Sequence, residues 1–185
     1  TGNTVNNVLT GNAAANTLRG QGGDDSLFGG GGGDSLLGGA ANDRLSGDGG
    51  ADTLRGEAGD DTLLGNDGAD LLAGGAGINR LTGGRQAVRF TGNDDANTFT
   101  GAKGNDTLTG DAGADVFIMV KKAGRDTITD FEAGADVIDF AGANALARLT
   151  FTQDGDDVLV RFGTSSAIVE DITLAVLRTD DNFGF

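Results

Sequence analysis

Glycine returns at every ninth residue, at positions 2, 11, 20, 29, 38, 47, 56, 65, 74, 83, 92, 101 and 110, with no insertion or deletion before Ile118. Two further columns keep that period. The eighth place of the successive units holds Leu9, Leu18, Leu27, Leu36, Leu45, Leu54, Leu63, Leu72, Leu81, Phe90, Phe99, Leu108 and Phe117. The sixth holds Asn7, Asn16, Asp25, Asp34, Asp43, Asp52, Asp61, Asp70, Asn79, Val88, Asn97, Asp106 and Asp115. Three chemistries on one short period describe a stack of like units, because a nonapeptide cannot bury its one apolar side chain alone. Even "GGGGDSLLGG" (30–39), which in isolation reads as a linker, is one tooth of this series, with Asp34 and Leu36 in their places.

A unit with a single inward side chain supplies a strand of roughly three residues around its eighth place, since neighbours in a strand point to opposite faces. The other six residues must turn the chain. Glycine allows positive φ there, and Asp and Asn accept bonds from local backbone amides. Two units then close one coil, and thirteen make about six and a half coils, a rod roughly 30 Å long at the inter-strand spacing. In such a stack the sixth places form two columns. Asn7, Asp25, Asp43, Asp61, Asn79, Asn97 and Asp115 run along one edge, and Asn16, Asp34, Asp52, Asp70, Val88 and Asp106 along the other.

Charge decides what those columns need. The chain carries a formal charge of −15, is 37% hydrophobic, and has neither Trp nor Tyr. Stacked carboxylates repel unless a cation lies between them. With no His, no Cys and one Met, zinc, copper and haem have no ligands of their usual kind. Carboxylates plus the carbonyls of glycine-rich turns favour a hard cation with a flexible shell, Ca²⁺ before Mg²⁺.

The units resemble the nonapeptide G-G-x-G-x-D-x-U-x of the RTX (repeats-in-toxin, hemolysin-type) family. "GEAGDDTLL" (56–64) and "GAKGNDTLT" (101–109) match it except at the second glycine. The resemblance implies an all-β fold, a right-handed parallel β-roll over residues 1–118, with several Ca²⁺ ions held between adjacent coils by the first six residues of each unit. Carried onto this chain, the ligand carboxylates are Asp25, Asp34, Asp43, Asp52, Asp61, Asp70, Asp106 and Asp115. The best pairs are Asp25 with Asp43, Asp43 with Asp61, Asp34 with Asp52, and Asp52 with Asp70. Asn79 and Asn97 keep an oxygen but lose the charge, so their sites are expected to be weaker or empty, as are those of Asn7 and Asn16. Val88 removes the ligand, and Arg80, Arg85 and Arg89 bring positive charge beside it. Either an arginine takes over part of the neutralising role, or this repeat has decayed and follows the register passively.

The period stops after Ile118. Residues 119–142 and 148–174 alternate apolar and polar residues around turns, which predicts antiparallel strands. A solenoid also needs its open end covered. Residues 119–185 are therefore expected to form a small antiparallel β cap. "DTITDFEAGADVIDF" (126–140) and the terminal "DDNFGF" (180–185) resemble the region that follows the repeats in exported members of the family, with a type I secretion signal at the C-terminus.

Function classes narrow accordingly. The adjacent acids Asp24/Asp25, Asp60/Asp61 and Asp94/Asp95 fall in turns where the repeat demands acids, and no catalytic constellation accompanies them, so the expectation is a protein that is not an enzyme. A pI near 4.1 is the wrong sign for nucleic acid. No apolar run approaches the length of a membrane span, and no N-terminal secretory signal is visible. The chain starts at Thr1 rather than Met, which fits an excised or processed segment. The resemblance implies a bacterial extracellular calcium-binding module that folds on meeting Ca²⁺ after export. Two other readings stay open. One is Ca²⁺-dependent self-association into a filament, surface layer or adhesin, through outward Phe28, Leu37, Leu64 and Leu71. The other is binding of an acidic polysaccharide through Arg19, Arg44, Arg55, Arg80 and Arg89, as in the similar modules of bacterial mannuronan epimerases.

Overall fold

A computed structural model describes residues 1–120, 124–141, 149–177, 182 and 183. Up to β15, odd and even strands separate into two sheets. The first takes β1 (Val8–Thr10), β3 (Ser26–Gly31), β5 (Arg44–Gly49), β7 (Thr62–Asp67), β9 (Arg80–Gly84), β11 (Thr98–Ala102), β13 (Val116–Met119) and β15 (Val137–Phe140) in that order. The second takes β2 (Thr17–Gly22), β4 (Ser35–Ala40), β6 (Thr53–Ala58), β8 (Leu71–Ala76), β10 (Arg89–Thr91), β12 (Thr107–Thr109) and β14 (Arg125–Ile128), then β18 (Ser165–Val169), β17 (Asp157–Phe162) and β16 (Thr150–Asp154). The helix α1 (Leu174–Leu177) is a single turn.

Neighbouring strands in the repeats are parallel and offset by two units, so each residue pairs with the one eighteen further on: Leu27 with Leu45, Leu45 with Leu63, Leu36 with Leu54. The eighth-place side chains from Leu27 to Phe117 are fully buried in one cluster shared by both sheets. Leu9 and Leu18, in the first coil, pack against it while partly exposed. The chain is thus an all-β, parallel β-solenoid of about seven turns, as expected, with antiparallel strands at its C-terminal end.

Strands β2 to β8 run to six residues rather than the predicted three, because the first three residues of the following unit also pair across coils, as Gly30 does with Asp48 and Gly31 with Gly49, whereas β1, β10 and β12 keep three. The second place of most units, though not of those holding Asn3, Asn12, Gly84 and Asn93, bends the chain in the left-handed region. Gln21, Asp48, Glu57, Asn66, Ala102 and Asp111 all adopt it, with φ between 63° and 83°. Non-glycine residues in that conformation are strained. The register nonetheless holds them there, since moving one would break pairing on both sides.

Parallel stacking carries on past the last nonapeptide. β14 and β15, from the first segment read as antiparallel, pair parallel with β12 and β13 in registers lengthened to twenty and twenty-one residues: Leu108 lies beside Ile128, and Phe117 beside Ile138. The few extra residues are absorbed in the turns, leaving the inward side chains aligned. β18 then joins β14 in parallel, and β17 and β16 follow antiparallel as a meander on the growing end of the second sheet. Most of "DDNFGF" lies outside the described residues. Of its two described members, Phe183 bridges to Ile138, and the Asn182 side chain accepts from Gly134 N and donates to the carbonyls of Val176 and Leu177.

Candidate metal centre

All eight predicted aspartates, with Asn79 and Asn97, lie at the two turn edges, each at most 4% exposed. Their neighbours explain why glycine opens each unit. A Cβ on Gly56 would run into Asp61 Oδ2 and into the carbonyl of Gly74 on the next coil, and the same holds for Gly20 against Asp25 and Gly38. The carboxylate occupies the volume that a side chain would need.

The two oxygens of each aspartate behave differently. Oδ1 accepts from the backbone N–H of the sixth-place residue one coil earlier: Asp25 N donates to Asp43 at 2.8 Å, Asp43 N to Asp61 at 2.7 Å, Asp34 N to Asp52 at 2.7 Å, and Asp52 N to Asp70 at 2.9 Å. These bonds link the four predicted pairs. The ladder continues beyond the repeats, with Asp106 N donating to Asp126 and Asp115 N to Asp136. Oδ2, in contrast, is buried without a hydrogen-bond partner in Asp25, Asp34, Asp43, Asp52, Asp61, Asp70, Asp106, Asp115 and Asp126.

A buried, unpartnered carboxylate oxygen costs free energy that nothing in the chain offsets. Burial, with a smaller push from neighbouring acids, raises the carboxyls of Asp43 and Asp52 to about 6. The same causes raise Asp61, Asp106 and Asp115 to about 7. Asp126 rises to about 6 through burial alone. Asp70 and Asp136 are raised for the same first reason. The carboxyls raised to about 7 stay partly protonated near neutral pH unless a cation takes the place of the proton. Among the described residues no three acidic, His or Cys side chains converge, so a cation held here would need backbone carbonyls for most of its shell. That donor set suits Ca²⁺, which accepts six to eight oxygens in irregular geometry.

Sequence reasoning missed Asp126 and Asp136. Their signal was the triplet Asp-x-Ile, Asp126–Ile128 and Asp136–Ile138, which repeats the sixth-to-eighth-place pattern of "DTL" after the count of eighteen fails. It also missed an outer ladder on one edge, where Asn6, Asp24, Asn42 and Asp60 each accept from the fifth-place N–H one coil later. The other edge carries Ala15, Gly33, Ala51, Ala69 and Ala87 at that place and makes the same bond at Asn105, which accepts from Arg125 N.

The asparagines differ from the aspartates. In the first coil, Asn7 and Asn16 fold their oxygens back onto the N–H of Asn3 and Asn12 in their own turns. Asn79 and Asn97 keep the ladder bond through Oδ1, from Asp61 N and Asn79 N. Val88 is 3% exposed and joins the apolar core. Arg85 pairs with Asp67 at 3.4 Å on the surface, away from the Val88 place in the column, and Arg80 and Arg89 are exposed. The five outward arginines divide between the sheets, Arg44 and Arg80 on one and Arg19, Arg55 and Arg89 on the other. Phe28, Leu37 and Leu64 are half-buried, and Leu71 is 36% exposed.

Comparison with known proteins bears on the fold and the family. Over its full length the chain superposes on the extracellular lipase LipA from Serratia marcescens, with a TM-score of 0.51 at 20% identity, and spans 39% of that protein. The AlgE6R3 and AlgE6R2 subunits of the Azotobacter vinelandii mannuronan C5-epimerase are also similar, at 24% and 20% identity. Their TM-scores are 0.28 and 0.28, with 80% and 96% of this chain and 80% and 91% of theirs covered. No curated protein sequence matches. The model of the RTX calcium-binding nonapeptide repeat matches residues 1–36, 28–63, 37–72, 64–87 and 90–118. With glycine opening every unit, a large apolar residue at every eighth place and that repeat matched along residues 1–118, the chain belongs to the RTX calcium-binding nonapeptide-repeat family.

Proposed function

We propose that the chain is an exported calcium-binding module whose roll is completed by Ca²⁺ outside the cell, with residues 1–118 as the binding part, residues 119–185 closing it, and no enzymatic role. The orphaned Oδ2 atoms carry the reading. One buried leucine contributes about 1.5–3 kcal/mol, a thin return for ordering nine residues, and each Asp-bearing unit also buries an oxygen that lacks a partner. Asp25, Asp34, Asp43, Asp52, Asp61, Asp70, Asp106 and Asp115 hold the ions, in the pairs their ladder bonds define. Turn carbonyls complete the shells. Bound calcium supplies the positive charge that those carboxylates lack. The chain's own work is to align two successive turns so that their oxygens face one another, which the eighteen-residue register does. Metal binding to a chain without a preformed site is folding free energy. Sites at the roughly 10⁻⁴–10⁻³ M affinity of extracellular modules stay empty in a cytosol and fill outside.

A far-UV circular dichroism titration tests this. A cooperative gain of β signal between chelator and about 10 mM Ca²⁺, absent with Mg²⁺, is expected from the affinity range of such sites. A full β signal in chelator that calcium leaves unchanged overturns the folding switch.

A further inference from the structure

We propose that residues 79–97 form a calcium-free splice in the roll, in which the side-chain amides of Asn79, Asn93 and Asn97 donate where cations stand between the other coils and Val88 puts methyl groups where a carboxylate would call for one. The inference rests on the calcium reading above and goes beyond it by naming the coils that need no ion. Asn79 Nδ2 donates to the carbonyls of Gly75 at 3.0 Å and Gly77 at 2.9 Å in its own turn. Asn93 Nδ2, on the next coil of the same edge, donates to the same two carbonyls. Asn97 Nδ2 in turn donates to Asn93 Oδ1 and to the Asp95 carbonyl, both at 2.6 Å. Two amides from successive coils thus converge on two turn carbonyls and supply the positive hydrogens that a hard cation supplies elsewhere. A carboxylate has no hydrogen to give and could not do this.

The orphaned oxygens follow the same partition. They occur at six sixth places from Asp25 to Asp70, and again at Asp106, Asp115 and Asp126. Among the described residues none falls at Asn79, Val88 or Asn97. On the second edge, Val88 places carbon where a carboxylate would sit and so removes the need for a counter-charge.

The core changes over the same stretch, independently of the turns. Phe90 and Phe99 replace leucine, their rings meeting edge to face at 6.2 Å, and Phe99 stacks on Phe117 at 5.3 Å. Phenylalanine buries more area than leucine and adds specific ring contacts. The opening glycines make the room: a Cβ on Gly83 would press on the Phe90 ring and a Val88 methyl, and one on Gly92 on the Phe99 ring. Coils that lose the ion therefore gain apolar burial, and they stay ordered in chelator as a template for their neighbours.

Hydrogen–deuterium exchange of the full chain, read peptide by peptide by mass spectrometry, tests this in EGTA and in about 5 mM Ca²⁺, above the range of extracellular sites. With calcium every coil is protected. In EGTA, residues 80–100 stay protected and exchange at least about tenfold more slowly than residues 20–70, as a separately stable unit does. Fast exchange in both stretches overturns the splice alone. Slow exchange in both overturns the calcium reading and the splice with it, since no coil would then differ. The double variant Asn79→Asp with Asn97→Asp is expected to raise the number of calcium ions counted by native mass spectrometry and to erase protection of residues 80–100 in EGTA. An unchanged count with unchanged protection overturns the proposal.

Discussion

Residues 20–70 and residues 79–97 share one strand register and an opening glycine every nine residues, yet they resolve the same problem at the turn edge in opposite ways. In the first stretch every sixth place is an aspartate with one oxygen bonded across the coils and the other orphaned. In the second the sixth places are Asn, Val and Asn, the turn carbonyls receive amide hydrogens, and the core turns from leucine to phenylalanine. On the proposed calcium reading, a β-roll is closed either from outside by a cation or from within by an amide and a larger apolar side chain, and only the first route makes folding conditional on the surroundings.

The largest expected effect sets the cores against each other. Phe99→Ala should cost about 3–5 kcal/mol and Leu45→Ala about 2–5 kcal/mol in calcium, by denaturant unfolding. In chelator Phe99→Ala alone should remove the residual β signal, and equal effects of the two there would break the comparison. Next comes Asp61→Asn, which keeps an Oδ1 acceptor for Asp43 N and removes a buried charge. It should weaken calcium binding by calorimetry while raising the stability of the chelated protein by about 1–3 kcal/mol, the cost of an unsatisfied buried group. A loss in both conditions would mean that the carboxylate helps without its ion.

A smaller and graded effect follows from pH. Carboxyls raised from 3.8 to about 6 or 7 in the roll bind protons more tightly folded than unfolded. Their contribution to the stability of the chelated protein is full below about pH 4 and is lost as pH rises through 6 to 7. Chelated protein should therefore be more folded at pH 4.5 than at pH 7.5. Protection of residues 80–100, whose sixth places do not titrate, should change little. The smallest effect belongs to Arg85→Ala: its exposed pair with Asp67 should be worth less than about 1 kcal/mol in thermal melts.

Much of this was legible in the residues. The inward column from Leu27 to Phe117 is buried where the period puts it, and every predicted aspartate sits on its predicted edge. Legibility failed where the count of eighteen failed. Two or three extra residues in a turn hide Asp126 and Asp136 from a fixed period, though stacking tolerates them because only the strands must align. The left-handed bend at Gln21 and Glu57 was hidden too, since those residue types do not announce positive φ.

By itself the sequence determined the unit, the coil and the two columns of acids, because one apolar and one acidic side chain per nine residues leave few other ways to bury the first and turn at the second. Only the tertiary structure decided how each sixth place is satisfied. Which way an amide points, and whether Asn93 reaches the carbonyls of a turn sixteen and eighteen residues earlier, depend on contacts between stacked coils. Periodicity brings those coils together without specifying the hydrogen bonds between them.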